Sequence, residues 1–326
     1  MKEKIDFVII WVDGSDEKWR EEKAKYSPNK NHDARDIRYR DWDNLKYWFR
    51  GVEKYAPWVN KIYFVTCGHY PDWLNKNNPK LVCIKHSDYM SKEYLPTFSA
   101  NPIELNLHRI EGLSEKFVYF NDDMFIVNPV KETDFFKNGK PCAMAVFNPI
   151  VASDEVFCQI INNDNLLLNR NFKKKEILKN NKYLNLKYGK YNFMTLLCLP
   201  WNRIQGFYDS HSPNSFLKTT FEKVWEKEYE LLDQTSKTKF RSPYDVNQYI
   251  FKYWQFCEGN FYPSKLNSKF CKISDNIDYA CNLIKSKKYK MICLNDGGVI
   301  NDFEQAKQKI NQSFEEKLSK KSSFEI

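Results

Sequence analysis

No uninterrupted apolar run in this chain exceeds the six residues of Phe7–Val12, and short runs of that kind recur between helix-period segments through the first 150 positions. Such spacing excludes a bilayer-spanning helix, which needs roughly 20 apolar residues. It favours instead short strands buried within a sheet. Ile5–Val12 reads as a β-branched and aromatic strand ending in Asp13-Gly14-Ser15-Asp16, a turn that carries carboxylates past the strand's C-terminal end. A polar loop over 26–39 follows. Asp43 is placed to cap a helix in which Leu45, Trp48, Phe49, Val52 and Tyr55 recur at helical spacing and which Pro57 closes. Short strands are predicted at 61–66 and 81–85, a helix at 103–110, two strand pieces at 117–120 and 124–127 around Asn121-Asp122-Asp123, and a further strand at 141–147. Alternating strands and helices predict an α/β fold with a mostly parallel sheet covered on both faces.

Beyond about Val151 the pattern changes. Residues 162–190 are dense in Asn and Lys, with Lys173-Lys174-Lys175, and read as an elaboration or flexible insert, with a solvated helix over 172–178 as the alternative. A helix is expected from Asn214 or Ser215 through Leu232, and another from Pro243 through about 256. A last strand at 291–294 ends in Asn295-Asp296-Gly297-Gly298, and an amphipathic helix over 302–318 precedes a frayed Lys/Ser end. The expected units are an α/β core over 1–150, the insert over 151–192, a helical part completing the site over 193–300, and a terminal helix and tail over 301–326.

Composition narrows the class. With 24 Phe, 20 Tyr and 9 Trp, wholesale disorder is excluded. The nine cysteines are odd in number and never spaced as CxxC, which argues against a zinc ribbon or a disulfide scaffold and for buried thiols in a reducing compartment. Met-Lys-Glu-Lys leads directly into the first strand without the features of a signal peptide, so a cytoplasmic location is expected. Lys plus Arg number 51 against 42 Asp plus Glu, a net +9. That surplus suits a polyanionic partner: nucleic acid, an anionic membrane surface, or a phosphorylated substrate.

Three groups of residues can carry chemistry. Asp122 and Asp123, adjacent carboxylates after an apolar strand, form a hard oxygen site suited to Mg²⁺ or Mn²⁺ bridging a diphosphate. Asn and Asp also favour turns for local reasons, and the residues by themselves leave both readings open. Arg35, Arg38, Arg40 and Arg50 lie among Asp36, Asp41 and Asp43, with His108-Arg109 further on. An arginine fork holds phosphate through two bonds, while exposed Arg/Asp pairs are often only surface ion pairs. The third group is Asp209-Ser210-His211-Ser212-Pro213, Arg241-Ser242-Pro243 with Asp245, and Asn295-Asp296. His211 can serve as a general base near neutrality, and Arg241 before a helix start can meet a phosphate.

Ile5–Asp16 resembles the first block of the Stealth family of capsular-polysaccharide sugar-phosphate transferases, to which the lysosomal-enzyme N-acetylglucosamine-1-phosphotransferase is related. Arg38-Tyr39-Arg40-Asp41, Tyr55-Ala56-Pro57-Trp58-Val59, Leu95-Pro96-Thr97-Phe98, His108–Ser114 and Phe120–Asp123 are similar to its second block. His211 with Pro213, Arg241-Ser242-Pro243 and Asp245-Val246 resemble the third, and Ile292–Asp296 the fourth. The resemblance implies a Rossmann-like, glycosyltransferase-A-type mostly parallel sheet with a helical C-terminal elaboration. It implies transfer of a hexose-1-phosphate, usually of an N-acetylhexosamine, from a UDP-sugar to a hydroxyl of a glycan or lipid-linked glycan, with UMP released. On that reading His211, His108, Arg109 and Arg241 are catalytic. Trp11, Asp13, Gly14, Arg40, Asp41, Arg50, Asn121, Asp245 and Asn295 bind substrate, and Asp122, Asp123 and Asp296 hold Mg²⁺ or Mn²⁺. The competing readings are a metal-dependent glycosyltransferase that releases UDP, and a non-catalytic basic protein on nucleic acid or membrane. Nucleic acid is not an expected partner of the transferase, whereas peripheral association of its lysine-bearing tail with the inner membrane face is compatible with it.

Overall fold

The computed structural model describes residues 3–26, 39–274, 276–297 and 300–326. Arg35, Asp36, Arg38 and Gly298, and most of the polar loop, lie outside the described residues. The central sheet is built from β1 (Ile5–Ile10), β2 (Ile62–Thr66), β3 (Leu81–Lys85) and β4 (Lys116–Phe120), in the order β3-β2-β1-β4 with all neighbours parallel. Before β2 come α1 (Glu17–Lys25), capped by Asp16 accepting the Trp19 N–H, and α2 (Leu45–Tyr55); α3 (Ala100–Leu105) precedes β4. Because side chains alternate along a strand, Phe7, Ile9, Phe64, Val118 and Phe120 join one core and Val8, Tyr63, Val65, Phe117 and Tyr119 the other. This is the expected α/β class, with a mostly parallel sheet buried on both faces.

After β4 the chain forms β5 (Met124–Ile126), α4 (Glu132–Phe135), β6 (Phe136–Lys137), β7 (Lys140–Ala143), α5 (Val156–Asn171), α6 (Lys174–Ile177) and α7 (Asn192–Cys198). Then come β8 (Asn214–Leu217), α8 (Lys218–Lys227), α9 (Tyr229–Ser236), α10 (Tyr249–Cys257), β9 (Tyr262–Pro263), β10 (Ser268–Ile273), α11 (Ile277–Lys285), β11 (Met291–Asp296) and α12 (Phe303–Lys317). A second sheet, β10-β11-β5, sits beside the first, and β6-β7-β9 make a third. No helix among the described residues is long and apolar enough to cross a membrane.

Several expectations are corrected. Residues 214–217 are not a helix start but β8, which runs antiparallel to β4 and satisfies that strand's free edge. The Asn-dense stretch is not a flexible insert: α5 buries Ile160, Leu167 and Leu168 at helical spacing. Its asparagines act as donors to neighbouring carbonyls. Asn163 Nδ2 reaches Pro243 O and Asp245 O at 2.9 Å, and Asn165 and Asn169 both reach Ile204 O. Lys174 is buried rather than solvated, its ammonium held by Cys198 O, Trp201 O and Gln205 Oε1. The helix expected from Pro243 starts only at Tyr249. Asp245 accepts the Ser242 N–H and Asp164 the Asn247 N–H, which commits the intervening backbone to turns. Asp43 does not cap α2; it sits at φ 52° and pairs with Lys307, leaving Asn44 at the cap position.

The tail is docked, not frayed. Phe324 is buried, Leu74 and Glu325 form an antiparallel bridge, and the Ile326 N–H donates to Trp73 O at 2.9 Å. Arg50, expected on the nucleotide, is 6% exposed on α2 and faces this tail. Its guanidinium forks onto Glu325 at 2.9 and 2.8 Å and also reaches Glu315 Oε2 and Leu318 O, each at 2.8 Å. Burial pushes the Glu325 carboxyl up, but the Arg50 and Ser322 hydrogen bonds outweigh it and hold the group below its ordinary 4.5. Removing one partner of such a buried pair strands the other charge and costs about 3 to 5 kcal/mol. Arg50→Ala is therefore expected to lose about that much stability in urea unfolding at pH 7. A depressed carboxyl stabilises above its unfolded value, so the difference from wild type should shrink as pH falls below 4.5 toward the folded value.

Candidate active site

Chain direction divides at β1, with β2 and β3 on one side and β4 on the other. Loops leaving the C-terminal ends of β1 and β4 therefore diverge and open a crevice, the position where open α/β sheets bind ligands. A cleft of about 1320 Å³ lies there, lined by Trp11 and Val12 after β1 and by Asn121, Asp122 and Asp123 after β4. The segment before α2 adds Arg40 and Asp41, and the α3 region adds Asn101 and Glu104. Asp154, Glu155 and Phe157 enter at the start of α5, His211 ahead of β8, Arg241 and Tyr249 ahead of and on α10, and Lys272, Asn295 and Asp296 from the second sheet.

Asp123 is the junction between the two sheets. Its carbonyl accepts the Leu294 N–H at 2.8 Å, and its Oδ2 accepts Asn295 Nδ2 and the Cys293 thiol, both at 3.2 Å. Burial, then the Asp123 charge, pushes the Cys293 thiol well above its ordinary range, so it stays protonated and donates. His211 Nε2 lies 3.9 Å from the same Oδ2, and Nδ1 lies 3.3 Å from the Tyr249 hydroxyl. The turn that presents this imidazole is strained, with His211 at φ 46°, and its backbone N–H is held by Asp209 Oδ1 at 2.6 Å. Burial would raise Asp209, but Lys252, 2.5 Å away, more than offsets it and keeps the carboxyl below its usual range.

The donor set fits a hard divalent cation. Ligand atoms of Asp123, His211 and Cys293 lie within 4.8 Å of one another, and Asp123 Oδ1 and Asn121 Oδ1 are buried with no hydrogen-bond partner. The unpartnered oxygens of Asp123 and Asn121 are hard donors of the kind that suit Mg²⁺ or Mn²⁺. Although its tip meets solvent in the cleft, Asp122 is walled by protein elsewhere. Burial, then the charges of Asp123 and Asp41, pushes its carboxyl upward. Asp41 is raised too, mainly by burial. Crowded carboxylates of this kind are relieved by a cation between them.

Other expected residues have different surroundings. Asp296 is engaged by Arg40, which forks onto it at 2.8 and 2.7 Å, and by Trp42 Nε1 at 3.0 Å, so its oxygens already serve an ion pair at the cleft wall. Asp13 and Gly14 form the turn beyond β1. The Asp13 N–H donates to His69 Nε2 at 2.8 Å, and a Cβ on Gly14 would sit 1.9 Å from Tyr39 O, so this close approach admits only glycine. Asp245 stands behind the wall, accepting from Asn101 Nδ2 at 3.0 Å. Burial pushes it up to about 6. His108 and Arg109 are not brought to the cleft: Arg109 stacks over the Trp225 ring at 4.3 Å. Burial, then the Arg109 charge, takes His108 down to about 3, which leaves it neutral.

Sequence reasoning missed Glu104, Tyr249 and Lys272. Glu104 accepts from the Tyr119 hydroxyl at 2.7 Å, and burial raises its carboxyl to about 7. A lone acid amid Pro102-Ile103-Glu104-Leu105 was the available signal; Tyr249 and Lys272 had none.

Against known proteins, residues 3–31 match Stealth protein CR1, conserved region 1, and residues 38–143 match Stealth protein CR2, conserved region 2. The chain is 46% identical to the capsular polysaccharide phosphotransferase WcwK of Streptococcus pneumoniae, over 99% of this chain and 98% of that one. It is 45% identical to the receptor polysaccharide phosphotransferase WefC of Streptococcus gordonii, over the full length of both. Among solved structures it is similar to the galactosyltransferase LgtC in complex with donor and acceptor sugar analogues, at 8% identity and TM-score 0.41, covering 94% of this chain and 95% of that one. A full-length match at such identity, joined to the two matched conserved regions, means that the chain belongs to the Stealth family and is a transferase of polysaccharide synthesis.

Proposed function

We propose that the protein transfers a hexose-1-phosphate, that of an N-acetylhexosamine, from a UDP-sugar to a hydroxyl of a capsular or cell-surface glycan, releasing UMP. The observation that carries this reading is the cluster of Asp122, Asp123 and His211 at the sheet's point of divergence, with a buried carboxylate oxygen of Asp123 left without a partner. Asp122 and Asp123 are the residues that would hold Mg²⁺ or Mn²⁺, whose chemistry is to neutralise diphosphate charge, and His211 next to them stays free to move a proton.

The chain's own groups divide the remaining work. Trp11 and the Asp13-Gly14 turn flank the uridine end. Arg241 and Lys272 supply positive charge to phosphate oxygens, a role planar guanidinium groups fill well. Asn121 and Asn295 are amides that contact the donor without adding charge. The acceptor hydroxyl gives its proton to His211, which Tyr249 and the Asp209-anchored turn orient. The acceptor oxygen bonds to the β-phosphorus, the bond from that phosphorus to the bridging oxygen breaks, and UMP departs in line. Among the described residues, the carboxylates lining the cleft outnumber its Arg and Lys, which suits a site completed by a divalent cation before an anionic donor arrives.

Product analysis separates this reading from ordinary glycosyl transfer. Incubation with UDP-N-acetylhexosamine and a glycan acceptor is expected to yield UMP; UDP would mean attack at the anomeric carbon and would replace the proposal. His211→Ala is expected to cut kcat by about 10²- to 10⁴-fold while donor affinity, read by calorimetry, changes little. Asp123→Asn is expected to raise the Mn²⁺ concentration needed for half-maximal turnover at least about tenfold, the loss typical of weakened metal sites. Unchanged metal dependence would remove Asp123 from the cation site.

A further inference from the structure

The stretch from Phe172 to Ile204 holds eight basic residues and one acid, Glu176. Six of the fifteen large apolar side chains exposed among the described residues also fall here: Leu184, Leu186, Phe193, Leu196, Leu197 and Trp201. On α7 the packed face is Thr195 and Cys198, while Phe193, Leu196 and Leu197 lie on the outside, with Trp201 exposed in the turn that follows. The polarity of an ordinary surface helix is thereby inverted. Phe193 is 64%, Trp201 61% and Leu186 97% exposed, so these are not side chains half-tucked into a neighbour.

The geometry is fixed rather than incidental. Asn192 Nδ2 donates to Asn185 O at 2.8 Å and Asn192 Oδ1 accepts the Asn185 N–H at 3.0 Å, which clamps the Leu184/Leu186 segment beside the first turn of α7. Thr195 Oγ1 accepts the Phe147 N–H at 3.1 Å, and buried Lys174 ties α6 to the carbonyls of Cys198 and Trp201 at the far end of α7. Apolar side chains projecting from a rigid platform, with Lys175, Lys187, Lys190 and Arg203 exposed in the same stretch, match the surface of an anionic bilayer: hydrocarbon at the centre, negative headgroups around it.

We infer that this face, and not the C-terminal tail, docks the protein on an anionic membrane surface. Phe193, Leu196, Leu197 and Trp201 insert at the headgroup boundary, and the exposed cations of the same stretch meet lipid phosphates. The face is linked to the reaction cleft: Tyr191, next to α7, packs on Tyr208 with ring centroids 4.9 Å apart, and Tyr208 leads directly into the Asp209–His211 turn. A docked molecule would thus present its His211 side at a set distance from the bilayer, where an acceptor carried on a lipid is found.

Flotation with vesicles tests this on the full chain. Wild-type protein is expected to float with vesicles of phosphatidylglycerol and phosphatidylcholine, to float at least tenfold less with phosphatidylcholine vesicles, and to be released by high salt. The Phe193→Ser/Leu197→Ser/Trp201→Ser variant is expected to bind anionic vesicles at least tenfold more weakly, with unchanged turnover of a soluble acceptor. Lys190→Glu/Arg203→Glu, which leaves the apolar face intact, should give the same loss and serves as an independent check on folding of the first variant. Wild-type protein that does not float with anionic vesicles, or variants that float as well as wild type, overturns the proposal. So does a dimer seen by sedimentation that the apolar variant dissolves while flotation stays absent, since the face would then join two copies.

Discussion

A parallel sheet in which successive connections leave in opposite directions from one strand cannot close over the carboxyl ends of its central pair. Here that pair is β1 and β4, registered so that Ile9 lies opposite Phe120, and the two loops that follow must part. Everything in the cleft answers to that gap. The β1 side ends in a turn so close to Tyr39 that it requires Gly14, and the β4 side ends in two acids. The second sheet fills the space beyond, with Asp123 bonding through both carbonyl and carboxylate to β11.

The charge of the whole chain and the charge of its cleft have opposite signs, which inverts the inference drawn from net charge. Of the arginines expected to meet phosphate, Arg50 clasps the tail, Arg109 lies on Trp225, and Arg40 is neutralised by Asp296, while Arg241 reaches the cleft. Much of the surplus resides instead between Phe172 and Ile204, far along the sequence from the acids of β4. A long-range attraction for anions and a local site for a cation are thus carried by different parts of one molecule.

What could be read from sequence was what depends on near neighbours. The Ile5–Ile10 strand, the acids after Phe120 and the 303–317 helix all showed in local pattern. Features that failed depend on partners distant in the chain. Asn214–Leu217 is a strand because β4 has an open edge, and Arg50 is structural because Glu325 folds back across 275 positions to meet it. His108 and Arg109 face Trp225 because a tight turn at Leu107–Arg109 follows α3 and redirects both side chains. The grouping of His211, Arg241 and Asn295 with the β4 acids was legible only through family resemblance, since no spacing rule links segments so far apart.

The asparagines of α5 give the two sides of the cleft different responses to their surroundings. Asn163, Asn165 and Asn169 fasten the helix to the backbone near Pro243, Asp245 and Ile204 through amide-to-carbonyl bonds. Such groups neither gain nor lose protons and are little affected by dissolved ions, so these three fastenings persist whatever the charge on neighbouring acids. Asp41 and Asp122, whose carboxyls burial and neighbouring charges push upward, are groups in the cleft that respond to acidity. Proton-independent fastenings and proton-dependent acids thereby share one cleft, so its attraction for ions can change while α5 stays tied in place.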